Sequence, residues 1–567
     1  MKPRKKIYLY IIAAVFLIYI ALLTILYFSE SSSDHAIIRT FGDAIWYSLV
    51  TLTTVGYGDL IPVTPLGHVV GIIFLILSAG IMVTLLGAAV SFLTSEGLPF
   101  LLLQFQRHKN WYYFADYGVE SNTLAANICK EDTDAVIIFG EKRSGQSESP
   151  NYPCLFLSAS PDRIVAQKKN VGTKCKVFLM KENDIGMNSR AVNLHELPVE
   201  VYARTTNGQD KLSGNIHFFH SYECCARQYW RSKPLCRHEK TIVLIGFGNY
   251  GYSILERAIL TNIIATDQHV AYHILSGQSY LSEGTAELQR REQAALGEET
   301  PDLRSDSVDE FLTLHYRLGE LFSINEESDT RDSLIFHTGF WGENREILER
   351  ADRIIICEDD EQNGWSIFWR LNKYYRIHGR IDLRSSRRAP GVSYFGTNEE
   401  IYTSWQIIRT ELNRAAITIN EIFRRAVSYP TLSWEELDDF HRQSKIVAAD
   451  HLLMKVRILL GDETITELTD SSMEKAYARF RQNVVSEEAR EEYRKLDHMR
   501  WLRFYTFYNW SYGPVRDDAK RQHPMLCRYE ELTPEQRKER DAAWELLGSM
   551  VQMDEERSQG NLQIDKS

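Results

Sequence analysis

Residues 51–60 read TLTTVGYGDL, and they stand between two apolar segments. Ile7 to Phe28 carries no charge, and neither does Leu66 to Leu93. At 1.5 Å per residue the first of these spans about 33 Å of helix, against roughly 30 Å of bilayer core. Lys2, Arg4, Lys5 and Lys6 precede it, so the positive-inside rule puts the N-terminus in the cytoplasm. A cleaved leader is disfavoured, because no small-residue cleavage site ends the run and a second apolar run follows. Two crossings return the chain to the cytoplasm after Leu93. A large cytosolic body is therefore expected from about residue 97 onward.

Phe41 to Thr53 is amphipathic and too short to cross a membrane, which predicts a re-entrant helix. Non-helical backbone beyond it, at membrane depth, is tolerated only where protein buries it or water lines it. Gly56 and Gly58 can take positive φ, so successive carbonyls can point to one side. The carbonyl oxygens of Thr54, Val55, Gly56 and Tyr57, with the Thr54 hydroxyl, would then stack as oxygen rings. Such rings replace the hydration shell of a potassium ion.

The stretch TTVGYGD, set between a short helix and a second span, resembles the potassium-channel selectivity filter at Thr54, Val55, Gly56, Tyr57, Gly58 and Asp59. Trp46 and Tyr47 match the aromatic pair that braces the filter in that family. One pore loop cannot enclose an ion, so the resemblance implies a homotetramer around one axis, with potassium ions in the filter and membrane lipid outside. Asp34, Asp43 and Asp59 are expected at the outer mouth, where they would concentrate cations. One position departs from the family pattern: Ser78 stands where a hinge glycine is often found, with Gly80 and Gly87 nearby.

After residue 97 the pattern changes. WYYFADYGVESNTLAANI (111–128) reads as a strand leading into a helix, and AVIIFG, PCLFLSA and KVFLMK continue the alternation expected of a doubly wound α/β domain. A second such unit opens at TIVLIGFGNYGYSILERAIL (241–260), where Gly246, Gly248 and Gly251 follow a strand and open a helix. A two-span pore joined to tandem Rossmann-like units resembles channels with regulator-of-conductance (RCK, TrkA-N-like) domains, whose lobes form a gating ring. The first lobe has only Gly118 in its loop, and no dinucleotide is expected there. In the second, Ser276 stands where a ribose-binding acid belongs, leaving two readings: a phosphate-bearing ligand at the glycines, or glycines that merely pack helix on strand. Residues 282–310 read as a polar, solvated insertion. Glu358, Asp359, Asp360 and Glu361 read as a solvated acidic turn, with calcium the weaker alternative. A long helix is expected from Thr403 to Val427.

Beyond Pro430, LDHMRW (496–501) and NWSYGPVRDDAKRQHP (509–524) resemble the ryanodine-receptor repeat (RyR) domain, a helical module associated with ligand binding or docking. The matching residues are Trp510, Tyr512, Gly513, Arg516, Asp517, Lys520, His523, Pro524 and Tyr529. Trp510, Tyr512, Arg516, Asp517, Lys520 and His523 are the ligand candidates: aromatic rings can stack a base, and cations can grip a phosphate. A buried core role competes for Trp510 and Tyr512. Arg516 and Lys520, one helical turn apart, are the stronger pair.

The expected architecture is an α-helical two-span membrane pore domain (1–97), a linker (98–110), tandem α/β Rossmann-like domains (111–236 and 237–428), an all-α RyR-like domain (429–548) and a disordered tail (549–567). Net charge −11 without a basic stripe argues against nucleic-acid binding. The eight cysteines form no CxxC pair, so Cys224, Cys225 and Cys236, near His238, read as free thiols in a reducing compartment rather than zinc ligands. The function expected is a ligand-gated potassium channel, not an enzyme, in a cell membrane of bacterial inner-membrane type, responding to a nucleotide or nucleotide-derived messenger. A membrane-anchored NAD-dependent enzyme and a channel whose last module docks a protein are the alternatives.

Overall fold

The computed structural model describes residues 2–94, 97–106, 108–140, 150–157, 164, 175–181, 199–205, 215–275, 306–337, 339–426 and 431–564. The chain divides into two compact units, Met1–Gln106 and Arg107–Ser567.

In the first unit, α1 (Lys2–Ser31), α2 (Phe41–Leu52), α3 (Pro65–Thr94) and α4 (Gly97–Phe105) follow the predicted order. Thr40 starts α2 with a capping box, its hydroxyl accepting from the Asp43 amide while Asp43 accepts from the Thr40 amide at 2.8 Å. Among the described residues one apolar stretch, Pro65–Thr84, is long enough to cross a membrane; Phe16–Ser31 is a shorter one at the end of α1. Leu23, Leu26, Ile38, Ala44, Val70 and Phe74 form the core between α1, α2 and α3. The α1–α3 contact is locked by Glu30, which is fully buried and accepts from the Val63 amide (2.9 Å), the Thr64 amide (3.0 Å) and the Thr64 hydroxyl (2.6 Å). Gly67 is required beside it, since a Cβ there would stand 2.0 Å from the Glu30 carboxylate. Ser78 lies inside the unbroken α3, its hydroxyl donating to the Leu75 carbonyl at 2.8 Å.

The second unit holds two parallel sheets. Strands β1 (Asn110–Phe114), β2 (Ala135–Phe139), β3 (Cys154–Phe156), β4 (Cys175–Leu179), β5 (Glu200–Arg204) and β6 (Ile216–Phe219) pair in the order β3-β2-β1-β4-β5-β6. That is the doubly wound order, with the topological switch point between β1 and β4. Helix α5 (Val119–Glu131) follows β1, and α6 (Ser221–Ser232) closes the lobe. The second sheet comprises β7 (Thr241–Ile245), β8 (Ala271–Leu275), β9 (Ser323–Ile324), β10 (Ser333–His337), β11 (Arg353–Ile356), β12 (Arg380–Arg384) and β13 (Tyr394–Phe395). Its order, β13-β12-β11-β7-β8-β10-β9, repeats the same winding and adds β9 at one edge. Helix α7 (Asn249–Thr261) follows β7, and α8 (Glu361–Tyr374) follows β11. At the switch point between β7 and β11, Ile242 to Ile245 and Ile354 to Ile356 are fully buried apolar runs, as parallel strands covered on both faces require.

The C-terminal region is built from α9 (Arg414–Ala426), α10 (Asp439–Leu460), α11 (Asp470–Asn483), α12 (Glu487–Phe507) and α13 (Ala542–Ile564), with a small strand pair, β14 (Ser511–Tyr512) and β15 (Gln522–His523). Three expectations are corrected. The continuous helix from Thr403 is broken into Ser404–Ile407, a 3-10 turn at Glu411–Asn413 and α9, because Thr410 turns the chain at φ 49°. The predicted disordered tail is helical through Ile564, with Met550 and Met553 buried on the module. The module is also not a separate body. Val447, Phe504, Phe507 and Trp510 share one core with Leu244, Tyr272 and Ile274 of the second sheet. Residues 282–305 of the predicted insertion lie outside the described residues.

Candidate pore and ligand-sensing sites

Helix α2 delivers the chain to Thr54, where the backbone leaves the helix. Thr54, Gly56 and Gly58 have φ of 59°, 62° and 72°, whereas Val55 and Tyr57 are not among the positive-φ residues. Alternating left- and right-handed residues turn successive peptide planes so that their carbonyls can share one side. Sequence reasoning anticipated the two glycines and missed Thr54. A β-branched residue in this region is an outlier, and local bonds hold it: the Thr54 amide donates to the Thr51 carbonyl (3.1 Å), and the Val55 and Gly56 amides donate to the Val50 carbonyl (3.0 and 3.3 Å). Trp46 stacks flat on Tyr57 (centroids 6.2 Å, interplanar angle 2°) and donates its indole N–H to Asp59 at 2.9 Å. Tyr47 packs instead against Phe74 and Gly71 of α3. Of the three acids expected at the mouth, Asp43 caps α2 and Asp59 braces Trp46.

At the second-lobe switch point the glycines are closely engaged. Gly246 has φ 94°, and a Cβ there would stand 2.9 Å from the Glu358 amide nitrogen. A Cβ on Gly251 would meet the Gly246 carbonyl oxygen at 2.2 Å, so that glycine allows α7 to lie against β7. The geometry thus supports the packing reading for these two positions. Gly248 faces Asp359, whose carboxylate accepts from the Asn249 amide (3.0 Å) and the Tyr250 amide (3.2 Å) at the start of α7. Ser276 lies outside the described residues. The acidic turn is exposed at Asp359 and Asp360, and its acids also serve as caps. Asp360 caps α8 through the Gln362 amide, and Glu361 accepts from the Ser385 hydroxyl, the Ser386 amide and the Ser386 hydroxyl. Arg384 lies over the Tyr250 ring at 4.2 Å and donates to its hydroxyl at 3.1 Å. In the first lobe the acid at the switch point is Asp116, in the loop after β1, which accepts from the Ser121 hydroxyl of α5 (2.8 Å) and from the Met180 amide after β4 (3.1 Å).

The module's candidate residues separate into core and lip. Trp510 is buried, stacked on Phe440 (5.2 Å, 18°) and edge-on to Tyr505, which settles it as core. Tyr512 is 58% exposed, so the core alternative does not hold for it. Residues 513–521 form a turn between β14 and β15 rather than a helix, which corrects the spacing argument for Arg516 and Lys520. Arg516 pairs with Asp518 (2.7 Å) and Lys520 with Asp517 (3.3 Å), both on the exposed lip. His523 is half-buried against Trp501 and Tyr505, and burial, with Arg516 and Arg540 adding to it, lowers its pKa to about 4.

Sequence reasoning missed the junction between module and lobes. Arg227 of α6 grips Asp450 of α10 with two bonds (2.7 and 3.0 Å) and donates to Asn413 and the Leu412 carbonyl. Arg257 of α7 bonds Glu223 and Gln443, both at 2.7 Å, while Arg503 of α12 pairs with buried Asp332 at 2.6 Å. Within the module, burial opposes a charge on Asp497, yet Lys455, Arg500 and Arg540 hold it well below the usual carboxylate range. A cleft of about 1320 Å³ opens beside this junction, lined by Tyr394, Arg414, Asp450, Glu467 and Asp470. Burial pushes the Cys225 thiol up to about 12, and the described residues contain no cluster of metal-binding groups.

Comparison with known proteins agrees with both ends of the chain. The "Ion channel" family model matches residues 14–95, and the "RyR domain" model matches residues 482–556. Residues 14–95 are thus similar to the ion-channel family, and residues 482–556 to the RyR family. A voltage-gated potassium channel of Aeropyrum pernix is 39% identical over 62 residues, 11% of this chain and 21% of that one. The calcium-gated potassium channel TvoK of Thermoplasma volcanium is 24% identical over 125 residues, 22% of this chain and 36% of its own. The chain therefore spans about a fifth to a third of the length of these relatives. The ADP-bound crystal structure of GsuK covers 70% of this chain and 96% of its own, with 13% identity and a TM-score of 0.35. Ion-channel pore domain, two doubly wound lobes and a RyR module thus follow one another along the chain.

Proposed function

We propose that the protein is a potassium-selective channel that assembles as a homotetramer in a cell membrane, with both termini cytoplasmic, and is gated by its second unit. The observation that carries this reading is the alternation of backbone hand at Thr54, Gly56 and Gly58, at the end of a capped helix too short to cross a bilayer. Four such segments around an axis provide the stacked oxygens that substitute for the water around potassium. Reconstitution into liposomes tests it: a potassium gradient should set a potential that a sodium gradient of equal size does not. Equal flux of the two ions would refute the reading.

The gating ligand on this reading is a nucleotide or a nucleotide-derived messenger held at the lip of the RyR module. Tyr512 supplies an exposed ring for a base, and Arg516 and Lys520 supply cations for a phosphate. The junction residues supply the coupling, since α10 and α12 of the module pack on α6 and α7 of the lobes. A ligand shifts a closed–open equilibrium only by its differential affinity for the two states. Going from about 1:99 to 99:1 takes roughly 5.5 kcal/mol, so each of four sites needs only about a tenfold preference. Arg516→Ala or Lys520→Ala should move the dose–response without changing ion selectivity. A dose–response unmoved by both would exclude the lip.

A further inference from the structure

We infer that the second lobe carries its own resident anion: the Asp359 carboxylate takes the position at the start of α7 that a nucleotide phosphate takes in a glycine-loop lobe. The inference goes beyond the proposed gating scheme, and it directs the ligand away from this loop.

A doubly wound lobe binds phosphate where the strand order reverses, on the free amides that open the first helix. Here those amides are already bonded. Asn249 and Tyr250 donate to the two oxygens of Asp359, which arrives from the end of β11 across the switch point. The loop glycines serve this closure. A Cβ on Gly248 would stand 2.3 Å from the Asp359 carboxylate, and one on Gly246 2.9 Å from the Glu358 amide. Glycine is required so that the β11 loop can approach, which is the same close approach a pyrophosphate would need. A phosphate placed on the Asn249 and Tyr250 amides would lie against a carboxylate at hydrogen-bond range, and like charges at that distance repel. The first lobe is built differently: its switch-point acid, Asp116, lies in the loop after β1 and accepts from the Ser121 hydroxyl and the Met180 amide.

The closure fixes one end of a strut. At its far end α7 presents Arg257, which holds Glu223 of α6 and Gln443 of α10, and the Ile254 carbonyl accepts from the Trp230 indole at 3.0 Å. Asp359 therefore anchors the helix on which the RyR module is seated. Force from the module reaches the sheet through a helix already pinned at its N-terminus.

Hydrogen exchange on the full-length channel in nanodiscs tests this, read on a peptide covering Asn249 and Tyr250, with ADP, NAD or inorganic phosphate added. In the unmodified protein these amides should exchange slowly and stay unchanged with all three additions. Asp359→Asn should speed their exchange about five- to tenfold, as expected for loss of a charged cap, and phosphate should restore protection. Any nucleotide-dependent change there in the unmodified protein would overturn the inference, as would unaltered exchange in Asp359→Asn or failure of phosphate to restore it. The unmodified protein alone suffices should the variant not fold. Because exchange is read locally, this outcome is independent of whether the pore conducts potassium or the lip binds a ligand.

Discussion

Gly56→Ala isolates what the filter backbone requires. Gly56 sits at φ 62°, and a Cβ built on it meets nothing within 4 Å of its own chain, so the cost inside one chain is conformational rather than steric. An L-residue in the left-handed region costs about 1–2 kcal/mol. Across four chains of a ring that must be correct at once, the sum is about 4–8 kcal/mol. The cheapest relief is rotation of the peptide between Val55 and Gly56, which turns the Val55 carbonyl away and removes one oxygen ring. Thr54 cannot share the strain, being itself at φ 59° and tied to Thr51. At 1.4 kcal/mol per tenfold change, even the lower figure predicts roughly a thousandfold fall in the conducting state. The assay is potassium efflux from liposomes, with size-exclusion chromatography to check that the tetramer persists. Efflux and potassium-over-sodium selectivity equal to the unmodified protein would refute the argument.

Other outcomes follow from the same contacts. Glu30→Ala removes a buried acceptor and strands the Val63 and Thr64 amides; at about 1–3 kcal/mol per unmet donor it should cost about 2–6 kcal/mol per chain, read as earlier thermal dissociation of the tetramer. Arg227→Met leaves Asp450 with only the longer Arg257 contact at 4.0 Å and should destabilise the lobe–module junction by up to about 3–5 kcal/mol, detectable as a lower melting temperature of the full chain. Acid should destabilise the second unit: burial lowers His273 and His315 to about 4 and His451 to about 3, so the unfolded chain takes up protons first. Their stabilising effect is full above pH about 6.5 and is lost as pH falls toward 4, at about 1.4 kcal/mol per pH unit for each histidine. Thermal melts at pH 7 and pH 5 check the sign, and a higher melting temperature at pH 5 would contradict it.

The pore was legible because its rules are local. A short amphipathic helix, two glycines at alternate positions and long uncharged flanks are all read between residues 7 and 93. The doubly wound lobes were legible for a related reason, since buried parallel strands are short apolar runs in any context. Thr54 escaped because no residue type announces a strained threonine, and only the bonds back to Val50 and Thr51 reveal it.

What the order of residues determined by itself, then, is the filter with its helix, the two lobes and the presence of the RyR module. What only the tertiary structure decided is how the charged and glycine-rich positions are used. Asp359 reads as one acid of an acidic turn until β11 is laid beside β7 and brings it to the Asn249 amide, 110 residues away in the chain. Arg227 has no marker in its own stretch of sequence, and only the fold brings it to Asp450 of α10, 223 residues distant. Arg516 and Lys520 read as one face of a helix until β14 and β15 pair and make them the tip of a turn. Short-range preferences are written in neighbouring residues, whereas the partner of a buried charge is set by which elements the core brings together.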